Sequence, residues 1–317
     1  MEHASEVFGL EMIEQAHERI RGHIRITPLL RLEQLDETLG CKVYAKVEAM
    51  QATGSFKLRG ALNAILSMGE DELSRGIVTA SSGNHGRACA YAAKRLGIAA
   101  VVVLPDGAPA SKVAGVRDLG AEVVRCPAAE RFDVARSICE KRGAVYVPPY
   151  DDYRVMAGQG TLGLEICEQL PDVDMVVTPL SGGGLLSGGA CAVKSVLPRA
   201  AVVGAEPAVL ARYAASLEVG RPVQVEQRST IADALVSNHP GKLCFPIVRE
   251  HVDAVVSASE KTIQDAWRLV IEQGKLFVEA SACLGVAAVL EGTINVRADE
   301  RVCFVLSGGN CSISQLA

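Results

Sequence analysis

With 317 residues, about half of them apolar, and a net charge of −5, the chain is too long for one compact core and suits two domains or one large α/β unit. The mild charge and the lack of any lysine or arginine block argue against a nucleic acid partner, and no run reaches the roughly 18 to 20 apolar residues of a membrane helix. Ten cysteines lie far apart, from Cys41 to Cys311, without a Cys-x-x-Cys pair, which predicts reduced core fillers rather than disulfides or zinc ligands.

In chain order, the N-terminus opens with Glu2, His3 and Glu6, which fits neither a basic signal peptide nor an arginine-rich transit peptide, so a cytoplasmic location is expected. The first segment that carries chemistry is Thr53-Gly54-Ser55-Phe56-Lys57-Leu58-Arg59-Gly60-Ala61, at a predicted strand-to-helix junction. Lys57 stands between apolar neighbours. Burial disfavours its charged form, and the Arg59 cation is expected to push the same way. The resulting neutral amine can form a Schiff base with an aldehyde. Taken alone, Lys57 also fits the first solvated lysine of an amphipathic helix.

Farther along, short β-branched runs at 77–79, 100–104 and 173–177 alternate with stretches at 85–96 and 111–119, where apolar residues recur at helical spacing. The alternation predicts an α/β fold of βαβ units, with mostly parallel sheets covered on both faces. Ligands in such folds sit at the carboxyl ends of strands, where loops meet helix N-termini. Residues 54–151 are expected to form a small domain. The turn-rich Pro148-Pro149-Tyr150-Asp151-Asp152 then returns the chain to a larger domain made of 1–53 and 152–317.

Three glycine loops punctuate this pattern. Ser81-Ser82-Gly83-Asn84-His85-Gly86 presents backbone N–H groups at a helix start, suited to a carboxylate and equally to ordinary capping. Ser181-Gly182-Gly183-Gly184-Leu185-Leu186-Ser187-Gly188 lets the backbone approach a phosphate ahead of a helix. It also supports a rival reading, in which Gly182, Gly184 and Gly188 with the later Glu206 form a nicotinamide-dinucleotide fingerprint of an oxidoreductase. Ser307-Gly308-Gly309-Asn310 is a weak signal by itself.

Lysine, carboxylate loop, phosphate loop and terminal serine, in that order, resemble the fold-type II pyridoxal phosphate enzymes, above all the threonine dehydratase and serine racemase branch. Thr27-Pro28-Leu29-Leu30, Lys46-x-Glu48-x-x-Gln51, Ala157-Gly158-Gln159-Gly160-Thr161, Glu206-Pro207, Thr230-Ile231-Ala232-Asp233 and Glu279 also fall in family order. The resemblance implies a two-domain fold with parallel-rich twisted sheets covered by helices. It implies that Lys57 holds pyridoxal 5'-phosphate and that Phe56 packs against its ring. Asn84 would bond the ring hydroxyl, while Gly182, Gly183, Gly184 and Leu185 cradle the phosphate. Ser307 would face the pyridine nitrogen, where a hydroxyl makes a weaker electron sink than the Asp of other pyridoxal enzymes and favours β-elimination over transamination. Ser81, Ser82, Asn84 and His85 would hold the substrate carboxylate while Lys57 removes the Cα proton.

The activity implied is dehydration of a small β-hydroxy amino acid, L-threonine or L-serine by default, to a keto acid and ammonia, by a homodimer. Racemases of the branch resemble this chain in having a serine at Ser82, on the cofactor face opposite Lys57, so serine or aspartate racemisation is an alternative. Arg131 and Ser237 fall where racemase-like members place groups near the substrate. A cationic Arg131 suits a second carboxylate, as in 3-hydroxyaspartate, or is a solvated helix residue. Relatives with a divalent-metal site have a glutamate followed six residues later by an aspartate. Here Glu206 is followed by Arg212, so no metal is expected and Arg212 is free to pair with Glu206 instead. Ser181 and Ala234 replace glycines usual in relatives. The end at Ala317 predicts no C-terminal regulatory domain.

Overall fold

The computed structural model describes residues 7–81, 83–108, 110–312 and 315, apart from the side chain of Ser111. Two sheets organise it. The larger contains β1 (Leu29–Arg31), β2 (Lys42–Val47), β7 (Met175–Pro179), β8 (Ala201–Pro207), β9 (Ala254–Ala258) and β10 (Arg301–Leu306), in the order β1-β2-β10-β7-β8-β9. All its pairings are parallel except the antiparallel β1–β2 edge. The smaller sheet, order β5-β4-β3-β6, is parallel throughout and is built from β3 (Ile77–Ala80), β4 (Ala100–Pro105), β5 (Glu122–Cys126) and β6 (Val145–Tyr146).

The helices are α1 (Leu10–Ile20), α2 (Asp36–Leu39), α3 (Lys57–Leu66), α4 (Glu70–Arg75), α5 (Asn84–Leu96), α6 (Ala110–Arg117), α7 (Arg131–Arg142), α8 (Tyr153–Gln169), α9 (Gly184–Val196), α10 (Arg212–Val219), α11 (Cys244–His251), α12 (Glu260–Glu272) and α13 (Leu284–Leu290). Strands β3 and β7 are buried along their whole length, as expected of parallel strands covered on both faces. None of the described helices is long and apolar enough to cross a membrane. The cysteines are free and most are buried, in line with their expected role as core fillers.

Small residues set how three helices meet. A Cβ at Gly158 of α8 would lie 2.6 Å from the Arg59 carbonyl of α3, and one at Gly188 of α9 would collide with the Met156 carbonyl of α8. Helix α8, capped by the Asp152 carboxylate at Arg154 N and Val155 N, therefore packs at close range against both α3 and α9. The lysine helix and the helix after the triple glycine are thus held on one support.

Candidate active site

Lys57 opens α3, but no full strand leads into it. Ser55 instead makes a single antiparallel bridge with Gly308, Phe56 N donates to Ser307 O at 3.1 Å, and Gly309 N donates to Gly54 O at 2.9 Å. The last glycine loop is thereby zipped to the lysine segment, and Ser307 comes beside Phe56. Lys57 Nζ lies 5.0 Å from the Phe56 ring centre and donates to Pro149 O at 2.6 Å. Burial pulls the amine down from 10.5 to about 8.

Arg59 does not assist in this. Its guanidinium is spent on a fully buried network: Nε and Nη2 donate to Glu48 at 2.9 and 2.8 Å, and Nη1 and Nη2 donate to Glu165 at 2.6 and 2.8 Å. Lys46 Nζ completes it, donating to Glu165 at 2.6 Å and to Thr27 O at 2.8 Å. Two cations face two carboxylates, so the network presents no net charge to Lys57. The expected push from Arg59 is thus replaced by desolvation alone.

The carboxylate loop feeds α5, whose first residue, Asn84, lies in a second network. Asn84 Nδ2 donates to both oxygens of Glu279, at 3.0 and 3.1 Å, and Asn84 Oδ1 accepts from Asn310 Nδ2 at 2.7 Å. Asn310 N donates to Glu279 Oε1 at 2.9 Å, and Asn310 Nδ2 also reaches Thr53 O at 2.8 Å. Burial raises the Glu279 carboxyl against these donors. The buried His85 ring bonds Val147 O at 3.0 Å through Nε2. Ser81 Oγ accepts from Gly83 N at 3.4 Å. Ser82 lies outside the described residues.

The triple glycine precedes α9. Gly183 adopts φ 110°, a backbone region open to glycine, and a Cβ there would collide with Tyr213 Oη. A Cβ at Gly182 or Gly184 would strike Tyr150. The Gly182 carbonyl accepts from Tyr213 Oη at 3.0 Å and from Gly241 N at 2.9 Å. Leu185 is buried and packs into the apolar cluster behind the loop, leaving its backbone toward the glycines. Asp151 accepts from Lys242 N, Leu243 N and Cys244 N, fixing α11 under the same loop.

The dinucleotide reading fails here. Glu206, its ribose partner, is fully buried and accepts from Tyr213 N and Ala214 N at 3.0 and 2.9 Å.

Ser237 belongs to the wall beside the triple glycine, where its hydroxyl lies 3.3 Å from Tyr150 Oη and donates to His239 O at 2.8 Å. Arg131 is not brought to the lysine by any described contact: it donates to Ala128 O at 2.5 Å and stacks over Phe132 at 4.3 Å. Sequence reasoning assigned no role to Tyr150, Tyr213, Glu279 or Asn310. The Pro-Pro-Tyr-Asp-Asp turn carried a usable signal for Tyr150. Glu279 and Asn310 are marked by the family order of the motifs but given no role, and Tyr213 is recognisable only through its distant partner Gly182.

These residues fit a phosphorylated aldehyde. A half-buried lysine adjoins Phe56, which is bonded to the Ser307 turn, three glycines lead into the N-terminus of α9, and the buried hydroxyls of Thr53 and Ser55 have no described partner. On two parallel-rich sheets, the arrangement defines a fold-type II pyridoxal phosphate enzyme. The chain belongs to the pyridoxal-phosphate dependent enzyme family, whose model matches residues 20–308. It is 42% identical to L-threonine ammonia-lyase of Thermotoga maritima over 97% of this chain and 77% of that protein. It is 40% identical to serine racemase of Arabidopsis thaliana, over 96% of this chain and 93% of the relative. The solved structure of maize serine racemase superposes with a TM-score of 0.94 at 36% identity, covering 98% and 96% of the two chains.

Proposed function

We propose that the chain is a pyridoxal phosphate-dependent ammonia-lyase that eliminates water from a small β-hydroxy amino acid, L-threonine or L-serine, giving a keto acid and ammonia. The observation that carries this reading is the Lys57 amine, brought to about 8 by burial, bonded to the Pro149 carbonyl and adjoining Phe56, whose N–H donates to Ser307 O. The threonine ammonia-lyase relative supports the same reaction class.

Gly182, Gly183, Gly184 and the Leu185 backbone would hold the phosphate with N–H groups, Phe56 would pack on the ring, Asn84 would meet the ring hydroxyl and Ser307 the ring nitrogen. When bound, the cofactor supplies an electron sink that acidifies the Cα–H of an amino acid. Lys57 Nζ then takes that proton, and the β-hydroxyl departs as water after gaining a proton. Hydrolysis of the unsaturated amine so released gives the keto acid and ammonia. Backbone N–H groups of Ser81, Ser82, Asn84 and His85 would hold the substrate carboxylate at the start of α5. Ser307 has no charge to favour a protonated ring nitrogen, which keeps the sink weak and favours expulsion of the β-group.

The same reading proposes a small domain at 54–151 that closes on a larger one at 1–53 and 152–317, in a cytoplasmic homodimer. Similarity to serine racemases favours a second reading, racemisation with Ser82 as the proton donor on the other face. Purified holoenzyme incubated with L-threonine, L-serine and 3-hydroxyaspartate, assayed for keto acid, ammonia and enantiomer ratio, tests both. Keto acid and ammonia in equal amounts support elimination. Loss of chirality without keto acid would replace it with racemisation, and a response to 3-hydroxyaspartate alone would give Arg131 its second carboxylate. Lys57→Ala should lower turnover on the order of a thousandfold or more.

A further inference from the structure

Arg212, the first residue of α10, is fully buried, with oxygens around its Nε and Nη1 and no described partner at Nη2. Its Nε donates to Leu210 O at 2.7 Å, and its Nη1 to Leu235 O at 3.1 Å and Leu180 O at 3.4 Å. Glu206 Oε2 lies 3.6 Å from Nε. One carboxylate and three carbonyls, drawn from the ends of β7 and β8 and from two later turns, are the ligands a hard divalent cation takes. Here the guanidinium occupies that space and brings the charge. A divalent metal at this place does not fit the residues present, because the Arg212 guanidinium already bonds the carbonyls that would ligate it.

The shell is coupled to the glycine cradle through the next residue. Glu206, held by Arg212, accepts from Tyr213 N at 3.0 Å, and Tyr213 Oη donates to Gly182 O at 3.0 Å. In a planar trans peptide the carbonyl and the following N–H point in opposite directions. Fixing the Gly182 carbonyl on the Tyr213 side therefore turns the Gly183 N–H to the opposite side.

We propose that Arg212 is a built-in cation, a positioning residue whose guanidinium replaces a bound divalent ion and sets the glycine cradle through Glu206 and Tyr213. The wild-type holoenzyme then has no divalent-cation requirement, and Arg212→Asp creates a site that binds calcium or magnesium through two carboxylates. This rests on reading the triple glycine as the phosphate loop, but cation response is measured without substrate and stands or falls apart from the elimination.

The test is a thermal-shift series on the holoenzyme with calcium, magnesium or chelator, combined with titration of pyridoxal phosphate into the apoenzyme. Wild type should shift by less than about 1 °C with either ion, whereas Arg212→Asp should gain on the order of 5 °C from saturating calcium. Saturable stabilisation of wild type would overturn the proposal, as would a folded Arg212→Asp protein indifferent to both ions. If Arg212→Asp does not fold even with calcium, Arg212→Lys decides, because it keeps the charge and loses the planar fork. That variant should bind pyridoxal phosphate about 10-fold more weakly without answering to cations, and unchanged affinity would refute the coupling.

Discussion

The Nζ of Lys57 rests on the Pro149 carbonyl at 2.6 Å, and its lowered proton affinity has a measurable sign. An amine that titrates near 8 rather than 10.5 loses its proton as pH rises through that lower value. Capture of pyridoxal phosphate by apoenzyme, followed by absorbance, should accelerate as pH rises, with a midpoint near 8. A midpoint at the ordinary lysine value would mean a solvated amine. His85 is pulled from 6.5 down to about 3, first by burial and then by the nearby Lys57. The Val147 carbonyl can only accept, so the proton sits on Nε2, and Nδ1 has no described partner. The stability His85 contributes is present above 6.5 and falls as pH drops toward 3, because the unfolded chain takes up a proton that the folded chain refuses. His85→Gln should flatten the acid limb of unfolding free energy against pH. Superimposable limbs would show that His85 is not the group responsible.

Helix α8 carries the lysine helix α3 on one side and α9, the helix after the triple glycine, on the other, and two devices hold it there. The first is steric. Gly188→Ala would drive a methyl into the Met156 carbonyl, so α9 must shift at a cost of about 1–3 kcal/mol. Chemical denaturation together with cofactor titration should show both lower stability and weaker binding. The second is the buried network of Arg59, Lys46, Glu48 and Glu165, every member at most 1% exposed. Arg59→Met leaves Glu48 without its guanidinium and Glu165 with Lys46 alone, which should cost about 3–5 kcal/mol in denaturant unfolding. A loss below about 1 kcal/mol would show that the pocket relaxes around the change. The glycine loops and Lys57 were legible because their signals are local runs. The network was not: Arg59 meets Glu165 across 106 positions and Lys46 meets it across 119. Without those partners Arg59 could be read only as a neighbour of Lys57.

Across the whole molecule, the larger sheet draws β1 and β2 from the early chain and β10 from its end, which is how residues 53–57 and 307–310 come to share one site. Alternating β-branched and helical periods made the parallel sheets legible. The short β6 and the antiparallel edge β1 lacked enough residues to show a pattern. Glu279 and Asn84, 195 positions apart, meet where the start of α5, the helix after β3 of the small sheet, reaches the segment that leads into α13. Lys112 of α6 and Asp233, at 3.2 Å with side chains 37% and 45% exposed, also link the two parts. At such exposure Lys112→Ala should change stability by less than about 1 kcal/mol, and salt should erase the difference. The most direct test of the account is borohydride reduction of the holoenzyme followed by peptide mapping. A single reduced pyridoxyl adduct is expected on the peptide containing Lys57, and an adduct on another lysine, or none, would contradict the role given to Lys57.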